Sequence, residues 1–182
     1  MTKRGSYSIK STKQVYKNPW IEVREDAVIG PDGKDGIFGV VTMVPGLSVV
    51  PLDDEGNIYM IEQYKYGVDR DVIELPTGGV DAGETDLVAA QRELLEETGF
   101  VADEWIPLGV VDPFTTVIVS PAHLFLARNL KEKGKPEDQT KIIKIPFATA
   151  IQWIMENKIT HAQTCVAIFK VAEYLKKDSN PK

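Results

Sequence analysis

The stretch from Gly78 to Phe100, GGVDAGETDLVAAQRELLEETGF, constrains this chain most, because it carries the start, the stop and both faces of one helix. Thr85 offers an N-cap oxygen, Asp86 puts negative charge in the first turn, and Gly99 stands where a helix needs a left-handed residue after its last turn. Asp86 to Thr98 is therefore predicted helical. At about 100° per residue, Glu93, Glu96 and Glu97 fall within roughly a third of the helix circumference, with Leu87, Val88, Leu94 and Leu95 mostly on the other side. One face is assigned to a core and the other gathers three carboxylates. A solvated acidic face is the commonest meaning of such a cluster. Three like charges this close repel, however, and the local sequence sets only Arg92, at the edge of the arc, against them. A divalent cation offsets them better, since carboxylates three and four residues apart can share a hard, oxygen-seeking ion.

The spacing narrows the reading. Gly78, five residues, Glu84, seven residues, Arg92-Glu93-Leu94, one residue, Glu96-Glu97, one residue, Gly99-Phe100 resembles the Nudix box at every position. Seven of those positions demand one residue type. At about 6 to 7% for each type, chance gives on the order of one match in 10⁸ starting positions. The flanking Glu74-Leu75-Pro76-Thr77-Gly78 and Val80-Asp81 resemble the ADP-ribose and nucleoside diphosphate sugar hydrolase branch, and weaker similarity runs from about Val15 to Ala167.

The resemblance implies an α/β fold, an α/β/α sandwich around a mixed sheet, with an N-terminal antiparallel β appendage. Residues 1–45 would form that appendage and build a homodimer; residues 46–182 would form the hydrolase domain. The implied reaction is metal-dependent hydrolysis of the diphosphate bond of a nucleoside diphosphate sugar of the ADP-ribose, ADP-glucose or GDP-mannose type. Oxygen-only ligands point to Mg²⁺ or Mn²⁺. Glu93 and Glu97 are the primary candidate ligands, Glu96 shares the metal or orients water, and Arg92 positions the glutamates. The Thr77 carbonyl enters as a ligand by resemblance. A loop acid, Glu137 or Asp138, enters the same way as general base or further ligand, and the sequence does not choose between them. Glu84 is assigned to support of the loop and helix start. Trp20 reads either as a base-stacking aromatic or as a buried strand tryptophan.

Two departures bear on substrate. Gln63-Tyr64-Lys65 matches a family Gln-aromatic-Arg segment, with Lys65 as the candidate substrate contact in place of arginine, so the charge is kept and the bidentate fork is lost. The connection from Asp112 to Pro121 lacks the Ser-Pro-Gly segment that many ADP-ribose hydrolases carry. Other nucleotide substrates (a nucleoside triphosphate, a dinucleoside polyphosphate, a dinucleotide cofactor) and a non-catalytic binding module are the rival readings.

The bulk properties exclude several classes. A net charge of -6 in 182 residues argues against binding long nucleic acid through a general field. No apolar run is long enough to span a bilayer and no basic, then apolar, leader opens the chain, so the cytoplasm is the expected location. Cys165 is the sole cysteine, which rules out an internal disulfide and a cysteine-rich zinc site and reads as a structural thiol. His123 and His161 lack partners at ligand spacing and read as structural.

The remaining elements follow from pattern. Strands are expected over Tyr7 to Ile9, Gln14 to Tyr16, Trp20 to Ile29, Ile37 to Met43, Leu47 to Leu52, Ile58 to Tyr64, Val72 to Leu75, Ile106 to Val111, His123 to Ala127 and Ile142 to Ile145. The strands flanking Asp53-Asp54-Glu55-Gly56-Asn57 read as a hairpin. Two helices close the chain, one over Pro146 to Asn157 with Phe147, Ile151, Ile154 and Met155 inward, and one opened by a Thr160/Gln163 capping box.

Overall fold

A computed structural model describes residues 2–137 and 140–178. Contacts divide the chain into two compact units, Met1–Pro45 with Asp112–Pro121, and Gly46–Val111 with Ala122–Lys182. The strands in chain order are β1 (Thr2–Arg4), β2 (Tyr7–Lys17), β3 (Ile21–Ile29), β4 (Asp35–Met43), β5 (Gly46–Pro51) and β6 (Asn57–Lys65), followed by β7 (Arg70–Glu74), β8 (Thr77–Gly79), β9 (Phe100–Val111), β10 (Ile118–Val119), β11 (Ala122–Glu132) and β12 (Lys141–Pro146). The helices are α1 (Asp86–Thr98), α2 (Phe147–Met155) and α3 (Ala162–Asp178).

The first unit is one sheet in the order β1-β2-β3-β4-β10. The two short strands expected near its start are a single strand, β2, whose ladder to β3 slips at Ile9/Ser11 and at Gln14/Tyr16. Bulges at these places break the alternation that a sequence reading depends on. Apolar burial is thin: Val28 and Val40 are its buried hydrophobics among the described residues, with buried Asp26 beside them. The Asp26 carboxyl is held below its usual range by the Thr12 hydroxyl and then by Arg24, against the effect of burial. Trp20 is 67% exposed, which removes the buried-tryptophan alternative.

In the second unit, β8-β5-β11-β9 form one sheet and β12-β6-β7 another. β11 runs parallel to β5 and antiparallel to β9, so the first of these sheets is mixed. Side chains alternate along its central strands and create two cores. Leu47, Val49, Phe125 and Ala127 meet Ala89, Ala90 and Leu94 of α1. Val50, Leu52, Leu124 and Leu126 meet Ala150 of α2 and Ala167, Ile168 and Val171 of α3. This is the expected α/β/α sandwich.

Three local expectations are corrected. The strands around 53–57 do not make a hairpin: β5 and β6 enter different sheets and keep only the Leu52↔Ile58 bridge. The Asp53 carboxylate accepts hydrogen bonds from the Asn57 backbone and side chain, so the turn forms while the strands diverge beyond it. The Thr160/Gln163 capping box is absent, because Gln163 accepts from Ser48 Oγ and Thr160 Oγ1 accepts from Arg70. Met155 is 73% exposed at the end of α2, and Trp153 packs on the core beside Ile151 and Ile154.

Helix α1 has the expected bounds. Thr85 Oγ1 accepts from the Val88 N–H, and Gly99 at φ 75° donates its N–H to the Leu95 carbonyl. Glycine is required there twice over, since a Cβ at Gly99 would also meet the Gly134 carbonyl at 2.6 Å. The inward face differs from expectation: Leu87 and Val88 are exposed, and the buried stripe is Ala89, Ala90 and Leu94. Alanines let the helix sit close on β5 and β11. That stripe continues to Glu97, which is 8% exposed.

Candidate active site

The site is built where α1, β8 and the end of β6 converge. Glu97 lies one helical step beyond Leu94 on the buried stripe, so its carboxyl is carried inward with the core. The Thr77 N–H donates to Glu97 Oε2 at 2.8 Å, and Gln63 Nε2 donates to Oε1 at 3.2 Å. Burial dominates and raises the carboxyl to about 8; the Thr77 N–H and the Lys65 charge oppose this, while Glu93 and Glu74 add to it. Glu93 is raised too, first by burial, with the charges of Glu96 and Glu137 adding and Arg92 opposing. A carboxyl raised to about 8, as Glu97 is, holds its proton near neutral pH unless positive charge arrives.

Arg92 spreads one positive charge over Glu84, Glu93 and Glu96. Its Nε and Nη2 fork onto Glu84 at 3.0 Å each, Nη1 reaches Glu93 at 2.7 Å and Glu96 at 3.1 Å, and Nη2 also donates to the Gly79 carbonyl at 3.0 Å. These bonds, that to Glu84 foremost, hold the guanidinium above its already high pKa. Its donors are spent on arranging the acids. Glu84 in turn is held below the usual range by Arg92, and it accepts from the Asp81 N–H at 3.2 Å, closing the loop onto the helix start.

Gly78 has a steric purpose. A Cβ on it would run into the Glu93 carboxyl, so glycine lets that acid lie against the β8 backbone. Gly78→Ala is expected to displace Glu93 and to lower kcat by about 10²-fold, the order of loss expected when catalytic geometry slips by an ångström. Steady-state kinetics beside thermal melts checks it; activity within threefold of the parent would show that Glu93 needs no such seat.

Glu137 anchors the far side. Its N–H donates to the Glu96 carbonyl at 3.0 Å, pinning the loop to α1, and its exposed side chain lines a cleft of about 710 Å³ with Glu62, Gln63, Tyr64, Asp71, Thr140 and Lys141. Gln63 belongs both to this cleft and to the Glu97 bonds. Asp138, the other candidate loop acid, lies outside the described residues. Lys65 is ion-paired with the buried Glu74. Trp20 belongs to the first unit.

Gln63 stood in the Gln63-Tyr64-Lys65 segment without a role, and strand alternation puts it on one face of β6 with Ile61 and Lys65. Glu62 and Asp71 carry no local signal; cross-strand register brings them to the cleft. His123 Nδ1 sits 2.9 Å from Asp86, and Cys165 packs against the α2/α3 core, both away from these acids.

Among the described residues, no three acid, histidine or cysteine side chains are gathered tightly enough to enclose a metal as they stand. The donor chemistry nevertheless fits a hard divalent ion: the candidate donors are oxygens, the Glu97 carboxyl is buried with the partly buried Glu93 beside it, and the single guanidinium of Arg92 is shared among Glu84, Glu93 and Glu96.

Comparison with known proteins agrees with the family that the motif resembles. Residues 42–164 match the NUDIX domain family, and residues 9–41 match the nucleoside diphosphate sugar hydrolase N-terminal domain. The chain is 30% identical to a methanol dehydrogenase activator of Bacillus methanolicus, covering 86% of this chain and 88% of that one. It is 29% identical to an ADP-ribose pyrophosphatase of Mycobacterium tuberculosis, covering 88% and 81%, and 26% identical to that of Bacillus subtilis, covering 86% and 87%. The crystal structure of an ADP compounds hydrolase superposes with a TM-score of 0.83 at 22% identity over 94% of this chain and 95% of that chain. Motif, fold and relatives coincide, and the chain belongs to the Nudix hydrolases, in the nucleoside diphosphate sugar and ADP-ribose hydrolase group.

Proposed function

We propose that this Nudix hydrolase cleaves the diphosphate bond of nucleoside diphosphate sugars, releasing a nucleoside monophosphate and a sugar phosphate, with Mg²⁺ or Mn²⁺ as cofactor. The observation that carries the reading is the buried Glu97 carboxyl, raised to about 8 beside Glu93 and held by Thr77 and Gln63 at the edge of an open cleft. A carboxyl costly to ionise is a poor structural element and a good seat for a cation. Glu93, Glu96, Glu97 and the Thr77 carbonyl would hold the metal, which when bound lowers the pKa of water and draws charge from the phosphates. Arg92 keeps Glu93 and Glu96 in register through its hydrogen bonds. Glu137 takes a proton from the attacking water or serves as a further ligand.

The relatives named for ADP-ribose support a substrate of this class. The departures at Lys65 and at 112–121 favour broad acceptance, because a lysine gives charge without the directional fork. An exposed aromatic such as Trp20 would stack on any base. With ADP-ribose, ADP-glucose, GDP-mannose and UDP-glucose compared in one metal buffer, kcat/KM values within about 10³ of one another are expected. A larger preference for ADP-ribose is the mark of dedicated buried hydrogen bonds and would refute broad acceptance. Identification of the products separates this reaction from hydrolysis of triphosphates or dinucleoside polyphosphates.

The N-terminal region, residues 1–45, which makes up most of the first unit, is proposed to build a homodimer. Its sheet buries little apolar surface of its own and leaves Val15, Tyr16, Trp20 and Ile37 more than half exposed. Sedimentation is expected to give twice the chain mass at micromolar concentration; a fully active monomer would remove the proposal.

A further inference from the structure

Glu74 is the most buried acid among the described residues, at 2% exposure, and the chemistry described above does not use it. An acid so placed needs a counter-charge. His161 Nδ1 lies 3.4 Å from Glu74 Oε2 and 3.0 Å from Thr164 Oγ1. Burial holds that imidazole below its usual pKa, so it is neutral near pH 7 and the counter-charge is the Lys65 ammonium.

The path of that lysine is informative. Glu74 stands opposite Ile61 in the β6/β7 ladder, and directly paired residues project from the same face. Ile61, Gln63 and Lys65 share that face. To reach Glu74, the Lys65 side chain must run back along its own strand past Gln63, whose amide bonds Glu97. The Lys65 ammonium is in direct ion-pair contact with Glu74 Oε1. The lysine side chain is 34% exposed, whereas that of Glu74 is 3% exposed. An ammonium carries three N–H donors, so a partly exposed lysine paired with one buried carboxylate keeps donors for an anion.

We propose that Glu74 is a positioning residue: acting through Lys65, it fixes an ammonium group beside Gln63 and Glu97, where it receives an oxygen of the substrate diphosphate. The inference rests on the diphosphate substrate class proposed above. It also accounts for lysine at this place, since a point charge tethered from below needs no fork.

A double-mutant cycle tests it, read by a quantity that needs no turnover: the Kd of α,β-methylene-ADP-ribose in Mg²⁺, beside kcat and KM for ADP-ribose. Lys65→Met is expected to weaken binding about 10- to 100-fold, the range for a hydrogen bond to a charged group. Glu74→Gln keeps the lysine and loses its anchor; it is expected to weaken binding and raise KM about 5- to 20-fold, with kcat within threefold. The double variant should be no more than about threefold worse than Lys65→Met alone. Multiplicative effects would mean that Glu74 serves the fold alone and would overturn the proposal. Should Glu74→Gln fail to fold, Glu74→Asp keeps the charge, shortens its reach and runs through the same cycle with the same criterion. Coupled binding without turnover of any nucleoside diphosphate sugar would retire the proposed reaction and leave the positioning role standing. A wild type that does not bind the analogue overturns both.

Discussion

Glu97→Gln is expected to lower kcat on any accepted nucleoside diphosphate sugar by about 10³-fold or more, the scale of losing a metal-held nucleophile and the charge that seats it. The fold is expected to survive. Glutamine has nearly the shape of the acid, its carbonyl can still accept from the Thr77 N–H, and the Gln63 amide can turn over to present its oxygen to the new NH₂. The variant also removes a carboxyl whose burial raises it to about 8, so the metal-free protein should melt no lower than the parent. Kinetics and calorimetry on one preparation read both effects. Activity within tenfold of the parent would place the essential acid elsewhere. Loss of the fold would mean that Glu97 holds the structure first.

Most of the fold, and the helix that carries the candidate site's acids, were legible in the sequence. A helix whose N-cap, first-turn acid and C-terminal glycine are all written locally leaves little freedom in its bounds, and the bounds from Asp86 to Thr98 follow. The spacing Glu93, Glu96, Glu97 brings those acids together on any helix. What the helix packs on was not local. Ala89 and Ala90 form its buried stripe because small side chains bring it close to the sheet, an advantage visible only once β5 and β11 are in place. For the same reason Glu97 is buried and not solvated. Gln63, Glu74 and the cleft residues Glu62 and Asp71 come from strands paired across the β6/β7 register, which local pattern does not fix. The turn at 53–57 shows the converse: a turn closed by Asp53 and Asn57 forms where the residues suggest one, while the hairpin expected there does not, because β5 and β6 enter different sheets.

The pH dependence of stability in the absence of metal is the second large effect. A carboxyl that sits near 4.5 in the unfolded chain and at about 8 in the folded one binds its proton more tightly when folded. Its contribution is therefore fully present below about 4.5 and is lost as pH rises through about 8. At 1.36 kcal/mol per tenfold change in proton affinity, the full swing is at most roughly 5 kcal/mol. For a chain of this length, that is a fall in Tm on the order of 10 °C. Glu93, raised in the same direction by burial, adds to the fall. In excess chelator, melts between pH 5.5 and 8.5 are expected to show it, and Glu97→Gln should flatten most of the slope. Millimolar Mg²⁺ or Mn²⁺ should restore the loss at pH 8.5 and do little at pH 5.5. A cation binding only the folded, ionised site stabilises through mass action, and at low pH it must displace protons first. The same chelator should abolish turnover. A Tm that rises from pH 5.5 to 8.5 without metal, or full turnover in chelator, would mean that these carboxyls are ionised and satisfied by the protein alone, and the metal-seat reading of α1 would fall.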